Sequence, residues 1–226
     1  MTAHLTLVFE TSTPFASLAI IEPGGTVEHR TFTSDRSHNA VLFTPLAELL
    51  EGRETSEIGL VLVGSGPGSY SGTRVGIAAA QGVAMAAGCP AVAIPSILGV
   101  ASAENGAACL AIGDARRGSF WTAQIAGSAM AADPELTDAS GLESLVLQAF
   151  ADGFGVFSFE DPKRFPLNAG LCSEIRHEYP SAERLWSAWQ ATDPEIRHRW
   201  GNEIPQPIYL KPPHITPAKR PWLVKG

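Results

Sequence analysis

An apolar run, Leu60–Val63, leads into GSGPGSYSGTRVG (64–76) and from there into an alanine-rich helical pattern. No other stretch narrows the fold as far. A strand, a glycine loop and a helix in that order build a layered α/β domain. Backbone N–H groups at such a helix N-terminus favour an anion, so a nucleotide site becomes the first functional question.

The flanking sequence predicts the rest of the domain. Leu5–Glu10 reads as a buried strand, with Ala16–Ile21 and Thr26–Phe32 as two more, joined at Pro23-Gly24-Gly25. Ser37–Leu50 has helical spacing at Leu42, Leu46, Leu49 and Leu50, with Pro45 placed early or bending the helix. Leu60–Val63 is a fourth strand, Ser71–Ala87 a helix closed by Gly88 and Pro90, and Ala91–Ile94 a fifth strand. The order is βββαβα. A similar order restarts near residue 108, where Cys109–Gly113 ends at Asp114 and Phe120–Ile125 follows. FETSTPFASLAI and GDARRGSFWTAQ each carry an acid at a strand end, a short polar turn and a new strand about five residues later. Helical patterns at Gly141–Ala151 and Ala182–Ala191, with a strand at Phe154–Phe159, complete the second copy. The expected division is a first lobe over 1–100, a degenerate second lobe over 101–204, and a tail over 205–226 with six prolines, packed on the body.

Bulk properties exclude several classes. A net charge of −7 argues against unaided, tight nucleic-acid binding. The tail holds Lys211, Lys219, Arg220 and Lys225 without an acid, so −7 less this +4 leaves −11 on the first 210 residues. Cys89, Cys109 and Cys172 form no CxxC spacing and read as reduced thiols, which with a weak N-terminal apolar run predicts a cytoplasmic protein. The stretch Val75–Ile94 is too broken by glycine, Gln81 and Pro90 to span a membrane.

The motifs are next. The loop is no Walker A, which needs a lysine where this sequence offers Arg74, and it lacks the third glycine of GxGxxG. Tyr70 stands where a nucleophile elbow requires serine. Glu10, followed by Thr11-Ser12-Thr13, is either a Mg²⁺-binding carboxylate or a turn-capping acid. The six histidines include no HxxxH or HExxH pair, so no metal site is expected. Asp114 with Arg116 and Arg117 reads as a salt-bridged hairpin, or as an anion site.

GPGSYSGTRVGIAAAQGVAMAAGCPAVAIPS closely resembles the glycine-loop signature of the TsaB (YeaZ) family. ETSTPFASLAI, SHNAVLFTPLAELL, DARRGSFWTAQI and the closing PIYLKPP resemble its other landmarks in the same order. The resemblance implies an actin/Hsp70-like ATPase fold of two ribonuclease-H-like lobes. It also implies a non-catalytic role in forming threonylcarbamoyladenosine next to the anticodon of tRNAs that read A-starting codons. The implied partners are a TsaD-like catalytic subunit and a TsaE-like ATPase, with tRNA met only through the complex and a homodimer possible when the chain is alone. The family more usually shows Asp where this chain has Glu10, and the helix after His38 lacks a second histidine.

On this reading there is no catalytic residue, cofactor or metal, and Glu10, Gly66, Gly68, Ser69 and Gly72 are a relic of a nucleotide site. The expected partner interface combines Leu42, Leu46 and Leu49 with Arg74, Ile77, Gln81 and Met85. The last four share one side of the second helix at 100° per residue. The small residues Ala78-Gly82-Ala86 and Gly76-Ala80-Ala84 are assigned to packing within the chain. The alternatives are a stand-alone actin-fold ATPase or small-molecule kinase using Glu10, Ser69 and Asp114, and a metallo-glycopeptidase, whose ligands are missing.

Overall fold

A computed structural model describes residues 4–33 and 38–210. Strands β1 (Leu5–Glu10), β2 (Phe15–Ile21), β3 (Val27–Thr33), β4 (Ile58–Gly64) and β5 (Ala91–Ile94) form one sheet in the order β3-β2-β1-β4-β5. The first three strands are antiparallel, whereas β4 and β5 run parallel to β1. The second sheet repeats this plan with β6 (Cys109–Asp114), β7 (Phe120–Ala126), β10 (Gly155–Ser158) and β11 (Arg176–His177). There β10 lies parallel to β6 and to β11, and β8 (Ala129–Met130) and β9 (Glu135–Thr137) both pair antiparallel with β7. The two lobes are therefore ribonuclease-H-like copies in the paired arrangement of the actin/Hsp70 ATPase fold.

Strand alternation assigns each side chain to a core. Leu7, Phe9, Leu18, Ile20, Val61 and Val63 point to the face covered by α1 (His38–Leu50) and α2 (Tyr70–Ala87). Val8, Ala19, Ile21 and Leu62 point the other way and join Ala111, Trp121, Ala123 and Phe157 of the second sheet in a shared central core. Leu110, Ile112 and Val156 face outward again, onto Leu142, Val146 and Ala149 of α3 (Ala139–Ala151). Burial on both faces is why β1 and β4 carry nearly continuous apolar runs.

Helix α5 (Ala182–Ala191), counted with the second lobe in the sequence, packs on β1, β2 and β4 of the first sheet. Its Ala182 N–H donates to Ser17 Oγ at 2.9 Å, and Leu185 is fully buried in the central core. The short α4 (Ala169–Glu174) and α6 (Pro194–Gly201) are additions that hydrophobic periodicity did not predict. Residues 205–210 form no regular element, and the basic stretch 211–226 lies outside the described residues. No described helix is long and apolar enough to cross a membrane.

Candidate functional site: the glycine loop and helix α2

The glycine loop lies against the turn that follows β1. Ser69 N–H donates to Ser12 O at 2.6 Å, and Thr11 Oγ1 donates to Gly72 O at 2.9 Å. A Cβ added at Gly68 would collide with Ser12 O, and at Gly72 or Gly76 with Thr11. Gly68 and Gly72 are required by close approach of backbone to backbone, and Gly76 by the Thr11 side chain against it. Gly66, at φ +86°, needs its left-handed conformation as well. Its N–H donates to Ser96 Oγ at 2.9 Å, while Ser96 N–H returns a bond to Gly66 O at 2.8 Å. At the helix start Ser69 Oγ caps Gly72 N–H at 3.2 Å, and α2 closes at Gly88, φ +67°, by donation to Ala84 O and Met85 O.

Glu10, Gly66, Gly68, Ser69 and Gly72 are thus brought together. Glu10 is fully buried, with Oε1 accepting from Ser12 N–H at 2.6 Å. Its Oε2 lies over Gly64, where an added Cβ would strike it, and has no hydrogen-bond partner among the described residues. Nor does the neighbouring Ser12 Oγ. Burial pushes the Glu10 carboxyl above the usual carboxylate range, a rise that the amides of Thr11 and Ser12 only partly oppose. The C-terminal segment crosses the loop, with Ile208 N–H donating to Ser65 O at 2.9 Å.

Asp114 belongs to the second lobe's hairpin. Its Oδ1 accepts from Arg116 N–H at 2.6 Å, and Arg116 Nη1 stands 3.6 Å from Oδ2. Arg116, Arg117 and Gly118 all have positive φ, so the RRG sequence makes one left-handed turn. Asp114 N–H donates to Glu160 Oε2 at 2.8 Å, a partner the sequence reading did not single out. Burial raises the pKa of Glu160. Among the described residues no three His, Cys, Asp or Glu side chains are grouped to hold a metal ion.

The expected interface needs correction in orientation. Leu42, Leu46 and Leu49 face the chain's own core, and so does Ile77, which is 5% exposed. The outward face of α2 is instead Ala78, Gly82, Met85 and Ala86. Met85 is 84% exposed, and no described residue stands within 4 Å of a Cβ at Gly82. The stripe Ala78-Gly82-Ala86 therefore points out, while Gly76, Ala80 and Ala84 point in as expected. Gln81 misled the assignment: it is half-buried beside the groove, its amide 3.5 Å from Pro205 O.

An open groove of about 590 Å³ follows this face. Val75, Ala78, Ala79, Gly82 and Val83 form its floor, and Phe43 and Arg74 its walls. The sequence reading passed over Phe43, which is 56% exposed on α1. The Arg74 guanidinium lies 4.3 Å from the Tyr70 ring centre and donates to Tyr209 Oη from Nε and Nη2, at 3.1 and 2.8 Å. Tyr70 and Tyr209 thus hold the Arg74 side chain, one of the residues that line the groove.

Comparison with known proteins agrees with this architecture. The chain is 32% identical over 124 residues to the Escherichia coli (strain K12) "tRNA threonylcarbamoyladenosine biosynthesis protein TsaB", covering 52% of this chain and 53% of that protein. The protein of the same name from Haemophilus influenzae is 30% identical over 128 residues, covering 53% and 52%. The match thus spans about half the length of these curated relatives. Two solved Pseudomonas aeruginosa structures share the fold across 92% of this chain and 100% of theirs. One is YeaZ, with TM-score 0.68 at 21% identity, and the other a protein with similarity to peptidase YeaZ, with TM-score 0.69 at 22%. Residues 26–150 match the family model described as "TsaD: tRNA N6-adenosine threonylcarbamoyltransferase". The chain belongs to this family, within its TsaB/YeaZ members.

Proposed function

We infer that the chain is a non-catalytic subunit in tRNA threonylcarbamoyladenosine biosynthesis, acting in the cytoplasm and docking a TsaD-like catalytic protein through the outer face of α2. The curated relatives carry that biosynthetic role in their names. The observation that carries the non-catalytic half is the glycine loop itself. Its amides at Gly66, Ser69 and Gly72 are already bonded within the chain. Its one carboxylate, Glu10, is sealed beneath Gly64. Phosphoryl transfer needs metal ions clamped on the phosphates and a positioned nucleophile, and a carboxyl held toward its neutral form is a poor metal ligand. The docking half rests on the open groove and its walls, Phe43 and an Arg74 held by Tyr70 and Tyr209, residue types common at protein interfaces.

A TsaE-like ATPase and tRNA would join through that complex. ATP turnover by the isolated chain tests the non-catalytic reading. No turnover above background is expected. A rate near one per second, within the range of kinases, that disappears in Glu10→Ala would instead establish the stand-alone ATPase or kinase.

A further inference from the structure

A second pocket, of about 300 Å³, opens on the opposite face of the first sheet, beside the N-terminus of α5. In the β2–β3 register Phe15 faces Thr33 and Ser17 faces Thr31, so these four side chains share that face. The segment Tyr179-Pro180-Ser181 closes the other side. Phe15 is 51% exposed, with its ring centre 4.5 Å from that of Tyr179. His177 follows at 4.9 Å, so three rings run from the first lobe to the second. The hydroxyls of Thr31 and Thr33 bond to no described residue, and Ser17 Oγ, which accepts from Ala182 N–H, keeps its own proton to donate.

Among the described residues no charged side chain lines this pocket. Nearby, Glu183 is paired with His29 at 3.2 Å, and Asp161 raises the Tyr179 pKa after burial has done so. A carboxylate or phosphate finds no cation along the described lining. A purely apolar ligand would leave the threonine hydroxyls unsatisfied. Ring faces with hydroxyl donors and acceptors beside them are what a splayed nucleobase uses, stacking on its face and hydrogen-bonding at its edge. We propose that this pocket binds a nucleobase, from a free nucleoside or from a single-stranded RNA loop. The RNA source rests on the tRNA reading above, and the nucleoside source does not.

The test follows the backbone amides of residues 31–33, Tyr179 and Ser181 by NMR in the full chain, with adenosine, ribose 5-phosphate or an anticodon stem–loop RNA as probe. Adenosine is expected to shift them and ribose 5-phosphate to leave them in place. Phe15→Leu and Tyr179→Leu, at partly exposed positions, should each weaken the response about tenfold. Thr31→Val with Thr33→Val keeps the shape and should weaken it further. A response to the stem–loop alone would assign the base to RNA, and a response to adenosine alone to a free nucleoside. Equal shifts with ribose 5-phosphate, no shift with either base-bearing probe, or shifts unchanged in all three variants would overturn the proposal. If adenosine binds while the chain fails to engage a TsaD-like protein, the pocket stands and the partner reading falls.

Discussion

Gly72 and Gly76 on the inner face of α2 lie against Thr11, with no room for a methyl group. Gly82, six residues beyond Gly76 on the outer face, has no described residue within 4 Å of a Cβ. Small residues on the inner face let the helix close on the β1 turn, where Ser69 N–H bonds to Ser12 O, while the Gly66 and Gly72 amides bond to serine hydroxyls of the chain. Small residues on the outer face leave a shallow groove that no described residue fills. One helix therefore presents a closed contact with the β1 turn on one side and, among the described residues, an open groove on the other.

Substitutions along α2 can break this contrast. The largest effect is expected at Ile77, buried among Leu42, Val61 and Ala80. Ile77→Ala should cost about 2–5 kcal/mol, a fall of roughly 4–20 °C in Tm for a chain of this size. Thermal melting by circular dichroism reads it, and a change under one degree would return Ile77 to the surface. Gly76→Val should cost about 1–3 kcal/mol by overpacking, readable by urea denaturation. A neutral outcome there would mean that the helix can draw back from Thr11.

Glu10 gives the contrast a pH signature. Its carboxyl is held above the ordinary value of 4.5, so the folded chain keeps a proton that the unfolded chain has released. This contribution to stability is full below 4.5 and is lost as pH rises through the folded-state value. Glu10→Gln has no such proton to lose. Its melting temperature should gain on the wild type as pH climbs from 4.5, and parallel profiles would show that Glu10 is ionised and compensated. The smallest effect is Gly82→Ala, which should stabilise by about 0.5–1 kcal/mol through helix propensity alone. Destabilisation on melting would place a neighbour against that face.

Much of this was legible in the sequence because it is local. β1, β4, β5 and β6 announce themselves as apolar runs, and the Ser69 cap and Gly88 stop bound α2 within one residue of expectation. The repeated βββαβα order pointed to two lobes of one plan, with β6, β7 and β10 of the second sheet among the expected strands. What escaped depends on distant partners. β8, β9 and β11 are two or three residues long and exist only by pairing with β7 or β10. Helix α6 has no apolar period, although Asp193 before Pro194 is a start signal, and Asp193 Oδ1 does cap Glu195 N–H at 2.7 Å. At the site, Gln81 suggested the wrong outward direction because its neighbour Pro205 is 124 residues away. The Thr11 contact that turns Gly76 inward is equally non-local.

The most direct test is the affinity of the chain for a TsaD-like partner, measured by titration calorimetry with wild type and Gly82→Arg after each has been melted. The arginine enters open space on a helix surface, so its melting temperature should match or exceed the wild type's. A guanidinium across the groove floor should abolish partner binding, as charges left unpaired in an interface do. Stable protein with no detectable binding is the expected result. Stable protein that binds the partner as tightly as the wild type would contradict the account.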